Sequence, residues 1–246
     1  MEPKEIYASK PWLKFYPEGV AETVEIPRLS VPDLIDQMME KYGGKTALIF
    51  YGKKISYASL KELIDRFATA LADLGVKRGD TVALYLLNCP QFVIAYLAAL
   101  KVGAKVTPIS PVYTSHEIKH QIQDSDAMTL ICQDILYDNV EKANLTLNNV
   151  ILTNIAEYLP MLKKVFGKSA LGKVYGEMHV PTPKFMKEAG LLQFQELLKK
   201  YPPHPPRVAI DPARDIAALP YTGGTTGLPL RQRFSPTAIW LPYRRK

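Results

Sequence analysis

Residues 75–109, GVKRGDTVALYLLNCPQFVIAYLAALKVGAKVTPI, decide the fold. Thr81–Leu87 is a continuous apolar run, the pattern of a strand covered on both faces. Asn88 and Pro90 suit the start of a helix, which carries Phe92, Val93, Tyr96, Leu97 and Leu100 and closes near Gly103. A second strand follows at once, Lys105–Ile109. A helix joining two strands through connections this short is the unit from which parallel sheets are built.

The alternation extends in both directions. Residues 46–57, TALIFYGKKISY, read as two short strands around a Gly52-Lys53 turn. Ser59-Leu60-Lys61-Glu62 has the pattern of a capping box. The helix it opens would carry Leu60, Leu63, Ile64, Phe67, Ala68 and Leu71 on one face, with Gly75 as a left-handed stop. Downstream, a helix is expected from Ser115 to Gln123, a strand at Met128–Cys132, a shorter helix at Ile135–Ala143 and a strand at Asn149–Thr153. The class predicted is α/β, a largely parallel sheet flanked by helices on both faces. From Glu157 to Pro206 the chain is rich in lysine and broken by proline, so residues 157–206 read as an excursion from the sheet. Ile216–Thr222 reads as a strand that resumes regular structure and begins a second sheet.

Composition narrows the function classes. Hydrophobic residues make up 47% and charged residues 22%, which is ordinary for a globular protein of 246 residues. The net charge of +7 is concentrated at one end. Residues 230–246 hold five basic residues and no acid, which leaves 26 basic against 24 acidic residues elsewhere. That balance does not describe a nucleic-acid-binding face, and no nucleic-acid partner is expected. Cys89 and Cys132 are far apart, outside any CxxC pair, and read as buried small apolar residues. The amino terminus has no signal-like apolar run, and no stretch has the length of a membrane span, so a cytoplasmic location is expected.

Tyr221-Thr222-Gly223-Gly224-Thr225-Thr226-Gly227-Leu228-Pro229 carries the richest chemistry. Three glycines let backbone N–H groups approach an anion, and three threonine hydroxyls add donors, which together suit a triphosphate. The spacing is not that of the P-loop, and a plain flexible turn after a strand is the alternative. His116-Glu117-Ile118-Lys119-His120 satisfies HExxH on a helix, the arrangement of two zinc ligands and a base. A capping box at Thr114-Ser115-His116-Glu117 explains the same residues without metal, and no metal site is assigned. Lys163, Lys164, Lys168 and Lys173 alternate with Leu159, Leu162, Val165, Phe166 and Leu171. That pattern suits a solvated helix with one packed face, and also a peripheral membrane contact.

YTGGTTGLP resembles the signature of the adenylate-forming (AMP-binding) superfamily, [YF]T[SG]GTTGxPK. Ile55–Leu60 is similar to the early LTYxEL element of that superfamily, and Leu100–Ile109 to its LKAGAxxVPI element, in the same order. The likeness covers about residues 10–229. KPWLKFYPEGV and EYLPMLKKVFGKSALGKV resemble segments of the long-chain fatty acyl-CoA ligase branch. The resemblance implies a fatty acid, ATP and coenzyme A as substrates, with Mg²⁺, and an acyl-adenylate intermediate. It places the ATP phosphates at Thr222, Gly223, Gly224, Thr225, Thr226 and Gly227, and implies a homodimer as a partner state.

The departures define the second expectation. Leu230 stands where the family has lysine, and nothing in the chain resembles the YGxTE motif, the TGD aspartate or the carboxyl-terminal catalytic lysine. The chain therefore reads as an amino-terminal portion, inactive by itself, with residues 1–229 inside the family domain and 230–246 an atypical basic tail. A non-catalytic protein that keeps the nucleotide loop, or binds a partner through the tail, is the alternative reading. The tail can be re-read from the third base of each codon as Lys-Ala-Ala-Val-Leu-Thr-His-Arg-Asn-Leu-Val-Ala, close to the family's usual continuation. Codon degeneracy permits other residues at most of these positions, and a frameshift near the Pro229 codon is the expectation. The gene read past Lys246 checks it: the shifted frame should run on into the adenine-binding, ribose-binding and catalytic-lysine motifs, and an early stop in that frame would refute the shift.

Overall fold

The computed structural model describes residues 7–23, 27–160, 190–222 and 230–232. Helix α1 (Val31–Lys41) is followed by an antiparallel hairpin, β1 (Thr46–Phe50) and β2 (Lys53–Ser56). Phe50 pairs with Lys53, so the turn residues are Tyr51 and Gly52, one position before the Gly52-Lys53 turn expected. Both have positive φ, 50° and 94°, the geometry of the tight hairpin turn whose twist matches the strands. Gly52 takes that conformation freely, whereas Tyr51 is held there against its side-chain preference.

Helix α2 (Tyr57–Asp73) begins two residues before Ser59, where the capping box was expected, and its cap lies three residues before it. The cap is Ser56, whose Oγ accepts from the Ser59 backbone N–H at 3.1 Å. Ser56 carries no capping-box pattern in the sequence, since Ser59 rather than Glu or Gln follows it three residues on. Gly75 does close the helix, with φ 88° and the Val76 N–H donating to Leu71 O.

Strand β3 (Thr81–Tyr85) is buried along its whole length. Helix α3 (Pro90–Lys101) leads to β4 (Lys105–Pro108), and α4 (Ser115–Asp124) leads back across to β5 (Ala127–Gln133). A 3-10 turn at Asp134–Leu136 and helix α5 (Tyr137–Ala143) precede β6 (Asn149–Thr153). With β7 (Leu192–Gln193) these strands form one sheet in the order β4-β3-β5-β6-β7, every pair parallel. The chain steps from β3 to one side, then returns to fill the other. Right-handed crossovers in opposite directions must lie on opposite faces. Accordingly α2, α3 and α6 (Phe194–Lys200) share one apolar cluster with α1, while α4 and α5 share another.

Within the lysine- and proline-rich 157–206 segment, residues 192–200 belong to the core. β7 adds the fifth strand, and Phe194 packs against Phe67 of α2 with ring centroids 4.3 Å apart and the planes tilted by 34°, both fully buried. Two aromatic rings of this size each contribute on the order of 2 kcal/mol by burial. The lysine-rich stretch read from Leu162 to Lys173 lies outside the described residues.

The sheet's other edge positions the loop. Arg78 makes a bidentate pair with Asp215, Nε and Nη2 donating at 3.0 and 2.9 Å, and this pair holds the Asp215 carboxyl below its ordinary range. The approach requires Gly103: a Cβ there would meet the side chains of Arg78 and Val208 at 3.0 Å. Ile216–Thr222 is not one continuous strand. It makes a single parallel bridge, Val106 with Ala218, and pairs again only at β8 (Tyr221–Thr222), which joins β9 (Leu230–Arg231) in a separate antiparallel pair. Pro220 lies between the two pairings and has no N–H for a ladder.

Candidate functional site

The glycine- and threonine-rich sequence is bounded by β8 and β9. Tyr221 pairs with Arg231 and Thr222 with Leu230, so residues 223–229 are the segment the pair encloses. Thr222 is exposed at its edge. Gly223, Gly224, Thr225, Thr226 and Gly227 lie outside the described residues. Leu230 takes a strand position opposite Thr222, where the resembling family has lysine.

Three backbone and side-chain contacts fix the stem to the sheet. The Val106 N–H donates to Ala217 O at 2.9 Å, the Leu219 N–H to Val106 O at 2.8 Å, and Thr107 Oγ1 to Leu219 O at 2.9 Å. Thr107 is itself held by Gln121 of α4, whose Nε2 donates to Thr107 Oγ1 and to Pro108 O, each at 2.8 Å. Gln121 is fully buried. Its amide therefore ties α4 to β4, and the Thr107 hydroxyl passes the tie on to the loop's stem at Leu219.

The carboxyl end of α4 holds the hairpin. The Tyr221 hydroxyl donates to Asp124 Oδ2, and Arg231 donates to Asp124 O at 2.5 Å with its Nε 3.5 Å from Asp124 Oδ2. The His120 ring meets the Tyr221 ring edge-on at 6.5 Å. Burial, and then the Asp124 carboxylate, push the Tyr221 phenol well above its ordinary range, while Arg231 opposes them. None of this was legible locally, because Asp124 and Arg231 are 107 residues apart and Arg231 reads as one more basic residue of the tail.

The HExxH residues have a different occupation. Thr114 Oγ1 accepts from the Glu117 N–H, and the Glu117 carboxylate accepts from the Thr114 N–H and hydroxyl, each at 2.8 Å. The backbone hydrogen bond from Thr114 is the main cause that lowers the Glu117 carboxyl's pKa. Glu117 thus caps α4, and His116 is exposed. Among the described residues no three His, Cys, Asp or Glu side chains cluster as metal ligands. Both cysteines are free and buried, and burial raises the pKa of each thiol.

A second polar cluster closes the carboxyl ends of β5 and β6. Asn154 donates to Asp134 at 2.5 Å, Gln91 to Asn154 O at 2.8 Å, and Thr153 to Glu157 at 2.7 Å. Burial raises the Asp134 carboxyl's pKa, opposed by the Asn154 hydrogen bond. A groove of about 300 Å³ lies on another part of the surface, lined by Leu48, Ile49, Phe50, Cys89, Phe92 and Val93 among others.

The architecture is thus an α/β sheet domain that presents a glycine- and threonine-rich segment from a hairpin fixed to the edge of its sheet. The chain belongs to the AMP-binding enzyme family, whose profile matches residues 35–229. It is 31% identical over 225 residues to a long-chain-fatty-acid–CoA ligase of Bacillus subtilis, covering 90% of this chain and 39% of that protein. It is 30% identical to the enzyme of the same name from Salmonella typhimurium, over 89% of this chain and 39% of that one. The solved long-chain-fatty-acid–CoA ligase of Archaeoglobus fulgidus superimposes with a TM-score of 0.68 at 25% identity, covering 90% of this chain and 39% of that one. An anthranilate–CoA ligase superimposes with a TM-score of 0.67 at 19% identity, a likeness of fold. The chain spans about two fifths of the length of these relatives.

Asp124→Asn should lower the alkaline titration midpoint of Tyr221, followed by the ring-carbon NMR shift and assigned with Tyr221→Phe. The same change should cost about 1 kcal/mol of stability, one weakened charge-assisted hydrogen bond. An unchanged Tyr221 titration would show that the hydroxyl does not rest on Asp124.

Proposed function

We propose that this chain supplies the ATP-phosphate-binding part of an AMP-forming long-chain fatty acid–CoA ligase. The observation that carries the reading is the family match, which runs up to Pro229 at the end of the glycine- and threonine-rich segment. Relatives matching about nine tenths of the chain bear the long-chain ligase name, which supports the acyl class. In this reading the backbone N–H groups of Gly223, Gly224 and Gly227 and the hydroxyls of Thr222, Thr225 and Thr226 receive the phosphate oxygens.

The reaction has two balanced steps. A fatty-acid carboxylate oxygen attacks the α-phosphorus of ATP, the bond to the β-phosphate oxygen breaks, and pyrophosphate leaves. The thiolate of coenzyme A then attacks the acyl carbonyl, and AMP leaves with the bonding electron pair. Donors fixed before the reaction stabilise the charge that develops on the phosphate oxygens. Mg²⁺ would arrive with the nucleotide, taking few ligands from the protein, and would supply neutralisation of the triphosphate charge. Among the described residues no helix is long and apolar enough to cross a membrane. A cytoplasmic location belongs to the proposal.

The proposal includes inactivity of the 246-residue polypeptide on its own, since it corresponds to 39% of the relatives' length. A boundary at Pro229 is also proposed, supported by where the family match stops, but the 230–246 tail is not wholly separate, since Leu230 and Arg231 pair with Thr222 and Tyr221.

A graft tests the reading. Residues 1–229 should replace the matching portion of the Bacillus subtilis relative and retain fatty-acid-dependent acyl-CoA synthesis, while the 246-residue chain alone shows none. In the graft, Gly224→Val should lower kcat at least a hundredfold, the scale of losing positioned transition-state donors. A soluble, folded graft without ligase activity would favour the non-catalytic reading, and acyl-CoA formation by the 246-residue chain alone would overturn the claim of inactivity.

A further inference from the structure

Strand β4 alternates the direction of its backbone groups. The Lys105 and Ile109 N–H groups donate on the β3 side, to Asp80 O at 2.8 Å and Leu84 O at 2.9 Å. Val106 faces the outer edge, donating to Ala217 O and accepting from the Leu219 N–H. A parallel ladder repeats every two residues, so its next rung needs a Pro108 N–H for Leu219 O and the Tyr221 N–H for Pro108 O. Proline has no N–H, and Tyr221 pairs with Arg231 of β9 instead. Pro220 O has changed partner too, accepting from the Gln232 N–H at 2.9 Å. The ladder therefore stops at Leu219 and leaves the Leu219 and Pro108 carbonyls without backbone donors.

Two side chains replace the missing rung. Thr107 Oγ1 donates to Leu219 O at 2.9 Å, and Gln121 Nε2 donates to Pro108 O at 2.8 Å. The same Gln121 nitrogen donates to Thr107 Oγ1 at 2.8 Å. A hydroxyl carries a single proton, and with the amide donating into its oxygen that proton is directed to Leu219 O. Both side chains are fully buried. Gln121 Oε1 has no hydrogen-bond partner among the described residues, and a buried carbonyl left so is destabilising. An apolar side chain would pack α4 on the sheet without that penalty but would offer no donor. What the amide adds to packing is direction, and through Thr107 it is aimed at the last residue that β4 holds before Thr222.

We propose that Thr107 and Gln121 are positioning residues for phosphate binding. They fix the direction in which the chain leaves β4, three residues before Thr222, and thereby where the amides of residues 223–227 meet a triphosphate. Neither side chain touches nucleotide in this role, and each acts through the Leu219 carbonyl. The inference rests on the reading of residues 222–227 as the ATP-phosphate segment.

Titration of the 246-residue chain and its variants with MgATP, followed by the amide resonances of ¹⁵N-labelled glycine, tests it. Thr107→Val keeps the shape and removes the hydroxyl, and should raise the MgATP Kd roughly three- to tenfold, the scale of one net hydrogen bond. It should also shift the Gly223, Gly224 and Gly227 amides of the nucleotide-free chain while those of Gly19 and Gly52 stay in place. Thr107→Ser loses a buried methyl and keeps the donor, so its melting temperature should fall while its Kd stays within about twofold. Gln121→Met should raise the Kd, and combining it with Thr107→Val should raise it no further, because both act through one hydroxyl. A role in packing alone would instead make the Kd follow the melting temperature across these variants. A Kd unchanged by Thr107→Val, or one that Thr107→Ser fails to restore, would overturn the positioning role alone. Absence of MgATP binding by the unaltered chain would overturn the phosphate reading, and the positioning role with it.

Discussion

The hydrogen bonds between Val106 and Ala217–Leu219 carry the arrangement on which a loop function depends. They attach a stretch that is otherwise irregular to the open edge of β4, the outermost strand on that side of the sheet. A glycine-rich segment gains its ability to approach a ligand from backbone freedom, and that same freedom costs entropy when the segment is ordered. Fixing both ends reduces the conformations the segment must give up. Here one end is held by β4 and Thr107, and the other by the pairing of Leu230 and Arg231 with Tyr221 and Thr222.

Helix α4 is the second support. Its amino end is closed by Thr114 and Glu117, its middle sends Gln121 to β4, and its last residue, Asp124, receives Tyr221 and Arg231. The helix therefore acts as a strut between the sheet edge and the hairpin. This explains the HExxH sequence without metal: Glu117 is engaged at the cap, and the turn that follows it carries the contacts to the hairpin. Asp124 stands at a helix carboxyl end, where a carboxylate is disfavoured by the helix dipole, and Arg231 beside it offsets that cost.

Much of the sheet was legible because its strands are short, apolar and separated by helices with clear stops. Asn149–Thr153 coincides with its expectation, and β3, α3 and α4 fall within two residues of theirs. Misreadings occurred where local pattern competed with tertiary contact. Ser59 has a better capping sequence than Ser56, yet the strand register ends the hairpin at Ser56 and leaves its hydroxyl in place to cap. Leu192–Lys200 looked like excursion because prolines and lysines surround it, and the β6–β7 pairing and the Phe67–Phe194 contact, both long-range, reveal it as core. The anchors Asp124, Gln121 and Arg78 could not be found, since each acts across more than ten residues of sequence, on partners that no spacing rule links to it.

The most direct measurement is the response of the loop's own amides to nucleotide. The chain labelled with ¹⁵N-glycine should be titrated with ATP and Mg²⁺, following the amide resonances of its glycines. Saturable shifts at Gly223, Gly224 and Gly227, with little change at Gly19, Gly52 and Gly75, are the result expected of a phosphate-binding loop fixed at the sheet edge. Saturable binding that leaves those three amides unmoved, or no binding at millimolar nucleotide, would contradict it.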